Sequence, residues 1–273
     1  MVKKVASVVF AGMLAVAALA GCSGGSDQAG DASSEEVRTM TIAVGNAYSP
    51  YVYVDENGDA AGFDVEVLKA IDEALPQYEF TYETMDFKNI LLSVETGKAQ
   101  LGSHQFSWNE ERAQKYLYPE TPFCYGTMYL VAGADNDAIQ SIDDMGGKIV
   151  TLETGDASEA QINEWNEAHP DNPMTINWID APTPEEISAM ISTGRTDAFC
   201  EMRSYVDDVN AEYGNTLKLV QPIRSDGNYF IVNQDEAQFC EDVNAVLAQF
   251  MEDGTIAKIS NDTLGYDVSV PAE

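Results

Sequence analysis

One run of residues in this chain is best equipped for chemistry: Gly102-Ser103-His104-Gln105-Phe106-Ser107-Trp108-Asn109-Glu110-Glu111-Arg112. It passes through small and polar side chains and closes on a guanidinium. A strand ending in exposed amides, a hydroxyl at Ser107 and the Arg112 guanidinium makes a carboxylate receptor, because arginine offers two parallel donors to a planar carboxylate. The plainer alternative leaves Arg112 as a surface cation paired with Glu110 or Glu111. His104 lies beside this receptor, either as a neutral hydrogen-bonded residue of a cleft or as an acid/base group. The only other histidine is His169, which precedes Pro170 near a helix end and reads as a solvated cap. Two histidines exclude a multi-histidine metal centre. HExxH and the phosphate-cradling GxxxxGK[ST] are both absent, and no cofactor or metal is expected.

The elements that must position this run alternate in type. Residues 41–44 read as a buried strand and 51–54 as one arm of a hairpin, with Asn57-Gly58 as the tight turn. Asp55, Asn57, Asp59 and Glu66 fall at calcium-loop offsets, but Ala60 stands where such a loop needs glycine, so the hairpin is the better reading. Val65, Leu68, Ile71 and Leu75 line one face of a helix that Pro76 stops. Residues 78–82 form a strand, 87–97 a helix on Ile90, Leu91 and Val94, and 98–101 a short strand. A second alternation follows an extended run at 125–131. It comprises strand 149–152, helix 157–169, strand 175–179, helix 184–193, strand 197–200 and a helix after Arg203. Strands 217–220 and 229–232 flank Pro222 and Ser225-Asp226-Gly227, and a helix over 238–253 closes at Gly254. The alternation predicts an α/β fold with mostly parallel sheets and helices packed on them, in two lobes. Ligands of such sheets bind beyond the carboxyl ends of the strands, here in a cleft between the lobes.

The 273 residues are 45% hydrophobic, enough for a substantial core. The formal charge of −32 repels nucleic acid and anionic membrane surfaces, which are excluded as partners. At the start, Lys3 and Lys4 precede an apolar run over 5–19, the pattern of a secretory signal peptide over 1–21. Residues 22–37 lack a packable apolar stretch and read as a flexible tether. Cys124, Cys200 and Cys240 are widely spaced and odd in number, so they suggest no metal site. Either one disulfide with one buried thiol, or three core thiols, fits.

Over residues 41–112 several features occur in order: Tyr48-Ser49-Pro50-Tyr51, Asp55-Glu56-Asn57-Gly58, Gly62-Phe63-Asp64-Val65, Asp86-Phe87, Gly97-Lys98 and Glu111-Arg112. Tyr118-Pro119 and Pro122-Phe123 follow. With these the chain resembles, to about residue 265, the extracytoplasmic solute-binding proteins of polar amino acid ABC transporters, solute-binding family 3. His104-Gln105, Asn109 and Glu111-Arg112 look similar to the cystine-binding branch. Leu19-Ala20-Gly21-Cys22 resembles a bacterial lipobox, which implies lipidation at Cys22 and anchoring to the cell membrane.

The resemblance implies a type II periplasmic binding protein in which each lobe is a mixed, mostly parallel sheet flanked by helices. One lobe would comprise 38–127 plus 222–268 and the other 128–221. It further implies that Tyr48 covers the ligand, Phe87 forms an apolar wall, and His104, Gln105 and Ser107 contact the ligand beside the carboxylate-binding Arg112. In the second lobe, Asp156, Ala157 and Ser158 open a helix whose free amides can hold a carboxylate. Asp156 either caps that helix or faces a cationic group. The family's ammonium-binding aspartate aligns with Met202, while the acid here is Glu201, one position earlier on a strand and so expected on the opposite face. The expected function is a monomeric substrate-binding lipoprotein that hands a polar amino acid or related carboxylate to an ABC permease. A dehydratase-type enzyme on the same scaffold, with His104 or Glu201 as base, is the alternative. A sensor input domain would need a downstream signalling module.

Overall fold

The computed structural model describes residues 37–154, 156, 158–180 and 182–272. The expected signal peptide, the tether with Cys22, and Ala157 lie outside the described residues. Strands β1 (Arg38–Gly45), β2 (Ala47–Tyr48), β3 (Val52–Val54) and β4 (Ala60–Ala61) lead into helix α1 (Phe63–Ala74). Next come β5 (Tyr78–Met85), α2 (Phe87–Glu95), β6 (Leu101–Ser107), α3 (Glu110–Ala113) and β7 (Cys124–Gly133). The second alternation is β8 (Ile149–Glu153), α4 (Glu159–Ala168), β9 (Thr175–Ile179), α5 (Pro184–Ser192), β10 (Ala198–Met202) and α6 (Arg203–Tyr213). Strand β11 (Leu217–Val232) and helices α7 (Ala237–Glu252) and α8 (Thr255–Leu264) complete the chain.

Eight strands form one sheet in the order β5-β1-β6-β11-β7-β10-β8-β9. Its two ends are parallel, β1 with β5 and β6, and β8 with β9 and β10. Its middle is antiparallel, where β11 pairs with β6 and β7, and β7 pairs with β10. Each end carries its own cores. At the first end, Ile42, Val44, Leu68, Phe80, Phe230 and Phe239 pack in one cluster, and Ile90, Val94, Phe106 and Ile231 in another. At the second end, Leu130, Val150, Leu152 and Ile162 pack in one cluster, and Val131, Ile187, Phe199 and Val206 in another. Between them, β7 over 125–129 and β11 over 218–227 are half-buried throughout. Two strands that leave one core and enter another without being covered themselves make a two-lobed molecule with a paired-strand connection.

The hairpin is present as β3–β4, with Asp55 accepting from the Asn57 and Asp59 backbone amides at 2.9 Å each. The structure corrects three boundaries. Strand β6 begins at Leu101, where a strand was expected to end, because the backbone of Leu101, Gly102 and Ser103 pairs with β1, and small side chains leave no alternation to read. Residues 217–232 form one strand rather than two. The ladder slips register on either side of Pro222, which has no N–H to contribute, and then resumes. Helix α4 starts at Glu159 rather than 157. Cys124, Cys200 and Cys240 are all buried free thiols, which settles the choice left open by their number.

Candidate functional site

On the first-lobe side, β6 and the start of α2 assemble a continuous row. The Tyr48 ring stacks on His104 (5.1 Å between centroids, 2° between planes), and Phe87 meets His104 edge-on at 4.8 Å. Phe87 also contacts Phe106 at 5.6 Å, and the Arg112 guanidinium lies 5.5 Å from the Phe106 ring centre. The expected residues Tyr48, Phe87, His104 and Arg112 are therefore brought together, and Phe106, whose place in the run suggested no role, joins them. Phe87 is 43% exposed although Phe106 beside it is fully buried, so its face is open to an incoming group. Gly45 is what allows this arrangement: a Cβ there would collide with the His104 ring.

Asn109 caps α3 by accepting from the Arg112 backbone N–H at 2.8 Å. Arg112 Nη1 donates to the Ser107 carbonyl at 3.1 Å, so Ser107 contributes its backbone. The alternative pairing of Arg112 with a neighbouring acid is not what the structure holds. Glu111 lies 3.8 Å from Lys115 instead, and Arg112 has no ion pair among the described residues. Burial lowers the His104 pKa, and among the described residues no carboxylate is hydrogen-bonded to its ring.

On the second-lobe side, a cavity of about 350 Å³ is lined by Thr151, Glu153, Asp156, Phe199, Glu201 and Tyr205 among others, with no Lys or Arg in its wall. Glu201 is paired across β10–β7 with Tyr129, and its carboxylate accepts the Met202 N–H at 2.8 Å. Met202 packs against the first-lobe core. Glu201 thus lines the cavity while Met202, the next residue on the strand, does not. Asp156 accepts from the Ser158 N–H at 2.7 Å, an Asx-type turn before α4, and still lines the cavity. Ser158 is fully buried and is not part of the cavity wall. Gln105 points inward, as described below.

Burial is the main reason the Glu201 carboxyl is pushed up to about 7, with Asp156 and Glu153 adding like charge. A carboxyl raised from an ordinary value near 4.5 stabilises the fold fully at low pH, and that contribution is lost as pH rises towards 7. Replacing it with glutamine is therefore expected to leave the melting temperature nearly unchanged at pH 5 and to raise it relative to the parent at pH 8. Equal differences at the two pH values, measured by calorimetry, would show that Glu201 is ionised throughout.

Two cores joined by paired strands carry, among the described residues, a guanidinium without an ion pair on one side and a cavity lined by Glu153, Asp156 and Glu201 on the other. Residues 40–265 match the bacterial extracellular solute-binding proteins, family 3, and the chain belongs to that family. The L-cystine-binding protein TcyJ of Bacillus subtilis (strain 168) is 30% identical over 258 residues, 94% of each chain. The crystal structure of the probable amino-acid ABC transporter extracellular-binding protein ytmK from Bacillus subtilis superposes with a TM-score of 0.72 at 29% identity, covering 84% of this chain and 99% of that one. The L-cystine solute receptor of Neisseria gonorrhoeae, in its unliganded open conformation, shares the fold with a TM-score of 0.71 at 22% identity over 86% of this chain and 96% of that one. The protein is an extracytoplasmic solute receptor of the ABC-importer type, not an enzyme, and the dehydratase alternative is set aside. No helix among the described residues is long and apolar enough to cross a membrane.

Proposed function

We propose that this chain captures an amino acid of the cystine type, a zwitterion with a carboxylate and an ammonium on each half, and delivers it to an ABC permease. The observation that carries the reading is the separation of uncompensated charge: Arg112 on the first lobe and Glu153, Asp156 and Glu201 on the second. A ligand carboxylate would take both donors of Arg112, with Tyr48, His104 and Phe87 packed along its aliphatic part. An ammonium would sit against Glu201 and Asp156, which replaces the aspartate missing at Met202. The names of the relatives TcyJ and TcyK, both L-cystine-binding proteins, support this solute class.

The lobes, 38–127 with 222–268 and 128–221, would close about β7 and β11, because a ligand touching both sides binds the closed form more tightly. Lipidation of Cys22 after removal of 1–21 would anchor a monomer to the outer face of the membrane, with 22–37 as tether; incorporation of labelled palmitate, lost in Cys22→Ala, tests the anchor. The function itself is tested by calorimetric titration of residues 37–273 with L-cystine and the polar amino acids. At least one is expected to bind with micromolar or tighter affinity, on the scale where about 8 kcal/mol corresponds to 1 μM. Binding by none of them would refute the proposed solute class.

A further inference from the structure

Strands β6 and β11 do not run in simple register. Gly102 is opposite Ile231 and Phe106 is opposite Tyr229, so Ser103, His104 and Gln105 together face the single residue Phe230. This bulge places Gln105 at φ 51°, the only non-glycine with positive φ among the described residues. Such a conformation is strained for a residue with a Cβ and persists only where its surroundings impose it. It also takes backbone groups out of the ladder, and these need other partners.

The partners come from a buried polar cluster. The Asp64 carboxylate, fully buried at the start of α1, accepts from Ser103 Oγ at 2.7 Å and Gln105 Nε2 at 2.5 Å. The Gln105 backbone N–H also donates to it. Gln105 Oε1 in turn accepts from Asn228 Nδ2 at 2.6 Å and from the Cys124 thiol at 3.3 Å. Asn228 and Cys124 are register partners on β11 and β7, where the connecting strands enter the first lobe. Gly126 leaves room for the Asn228 amide, since a Cβ there would lie 2.9 Å from Nδ2.

We propose that Asp64, Gln105 and Asn228 are positioning residues for the solute site. By clamping the β6 bulge between α1 and the connecting strands, they present His104 to Tyr48 and Phe87 and set the Ser107 carbonyl that steadies Arg112. The inference rests on the solute reading for its consequence, but its geometric part is independent of any ligand. Among the described residues no cation pairs with Asp64, which hydrogen bonds hold in place, so removing one donor loosens the bulge rather than a salt bridge.

Proton NMR of the ligand-free protein provides the test, because the chain has two histidines and His169 serves as an internal reference. His169 stacks on Trp165 far along the sequence, at 4.0 Å. In Gln105→Met and Asn228→Ala, the His104 ring signals are expected to move downfield as the Tyr48 stack loosens, while those of His169 stay fixed. L-cystine affinity should fall about tenfold, the loss expected for one buried hydrogen bond. Asn166→Ala, which removes the bonds to the Met174 backbone in the second lobe, controls for destabilisation alone and should leave His104 unmoved. His104 signals that stay in place in both network variants overturn the proposal, whatever the affinity does. A parent protein that ignores L-cystine refutes the solute class, while shifted His104 signals still support the positioning role.

Discussion

Arg112→Ala is expected to weaken solute binding by about 100-fold or more while moving the melting temperature by no more than a degree or two. A guanidinium that meets a carboxylate through two charge-assisted hydrogen bonds contributes about 1.5–3 kcal/mol per bond, and 100-fold corresponds to about 2.7 kcal/mol. The fold depends little on the side chain. Arg112 is only partly buried and has no ion pair among the described residues; it bonds the Ser107 carbonyl and lies near the Phe106 ring and Tyr118. Arg112→Lys should recover part of the loss, because a lysine keeps the charge but offers no planar fork. Calorimetric titration paired with thermal melts separates the two effects. Unchanged affinity in the alanine variant would remove Arg112 from the site and with it the proposed orientation of the solute.

Phe230→Ala is the substitution expected to cost the most stability. The Phe230 ring is fully buried and stacks on Phe123 at 4.2 Å with 3° between planes, and Phe123 continues to Phe63 at 6.0 Å. These rings fill the first-lobe core where β7 and β11 enter it, and the Phe123 N–H bonds the Asn228 carbonyl at 2.9 Å. Truncating a buried phenylalanine costs about 3–5 kcal/mol through lost transfer energy and the cavity left behind. For a chain of this size that lowers the melting temperature by roughly 6–20 °C. Because Phe230 is also the residue that opposes the bulge at 103–105, the variant should lose affinity as well. A drop of less than about 1 kcal/mol in urea unfolding would mean that the core collapses around the missing ring.

Much of the positioning was readable from residue order. The alternation of helix and strand, the hairpin at Asn57-Gly58 and the helix on Val65, Leu68 and Ile71 follow from local periodicity and turn chemistry, and the structure contains all three. Tyr48, Phe87, His104 and Arg112 were legible as a group only through their order along a familiar pattern. Nothing in their spacing dictates that these three rings and, through Phe106, a guanidinium meet in one row, since that depends on how β2, α2, β6 and α3 pack. Alternation along β10 left the surroundings of Glu201 open, because the cavity it lines is shaped by α6 and the residues before α4 as much as by its own strand. Pro222 suggested a break that the ladder bridges by slipping register.

What the amino-acid order settles alone is therefore the kind of protein: short-range preferences choose the elements, and their alternation leaves few ways to stack them. The inward turn of Gln105 onto Asp64 and Asn228 was decided only in three dimensions. A buried carboxylate and a strained backbone are unfavourable in any local segment. They are tolerated here because residues 41 and 123 positions away supply the hydrogen bonds that offset them.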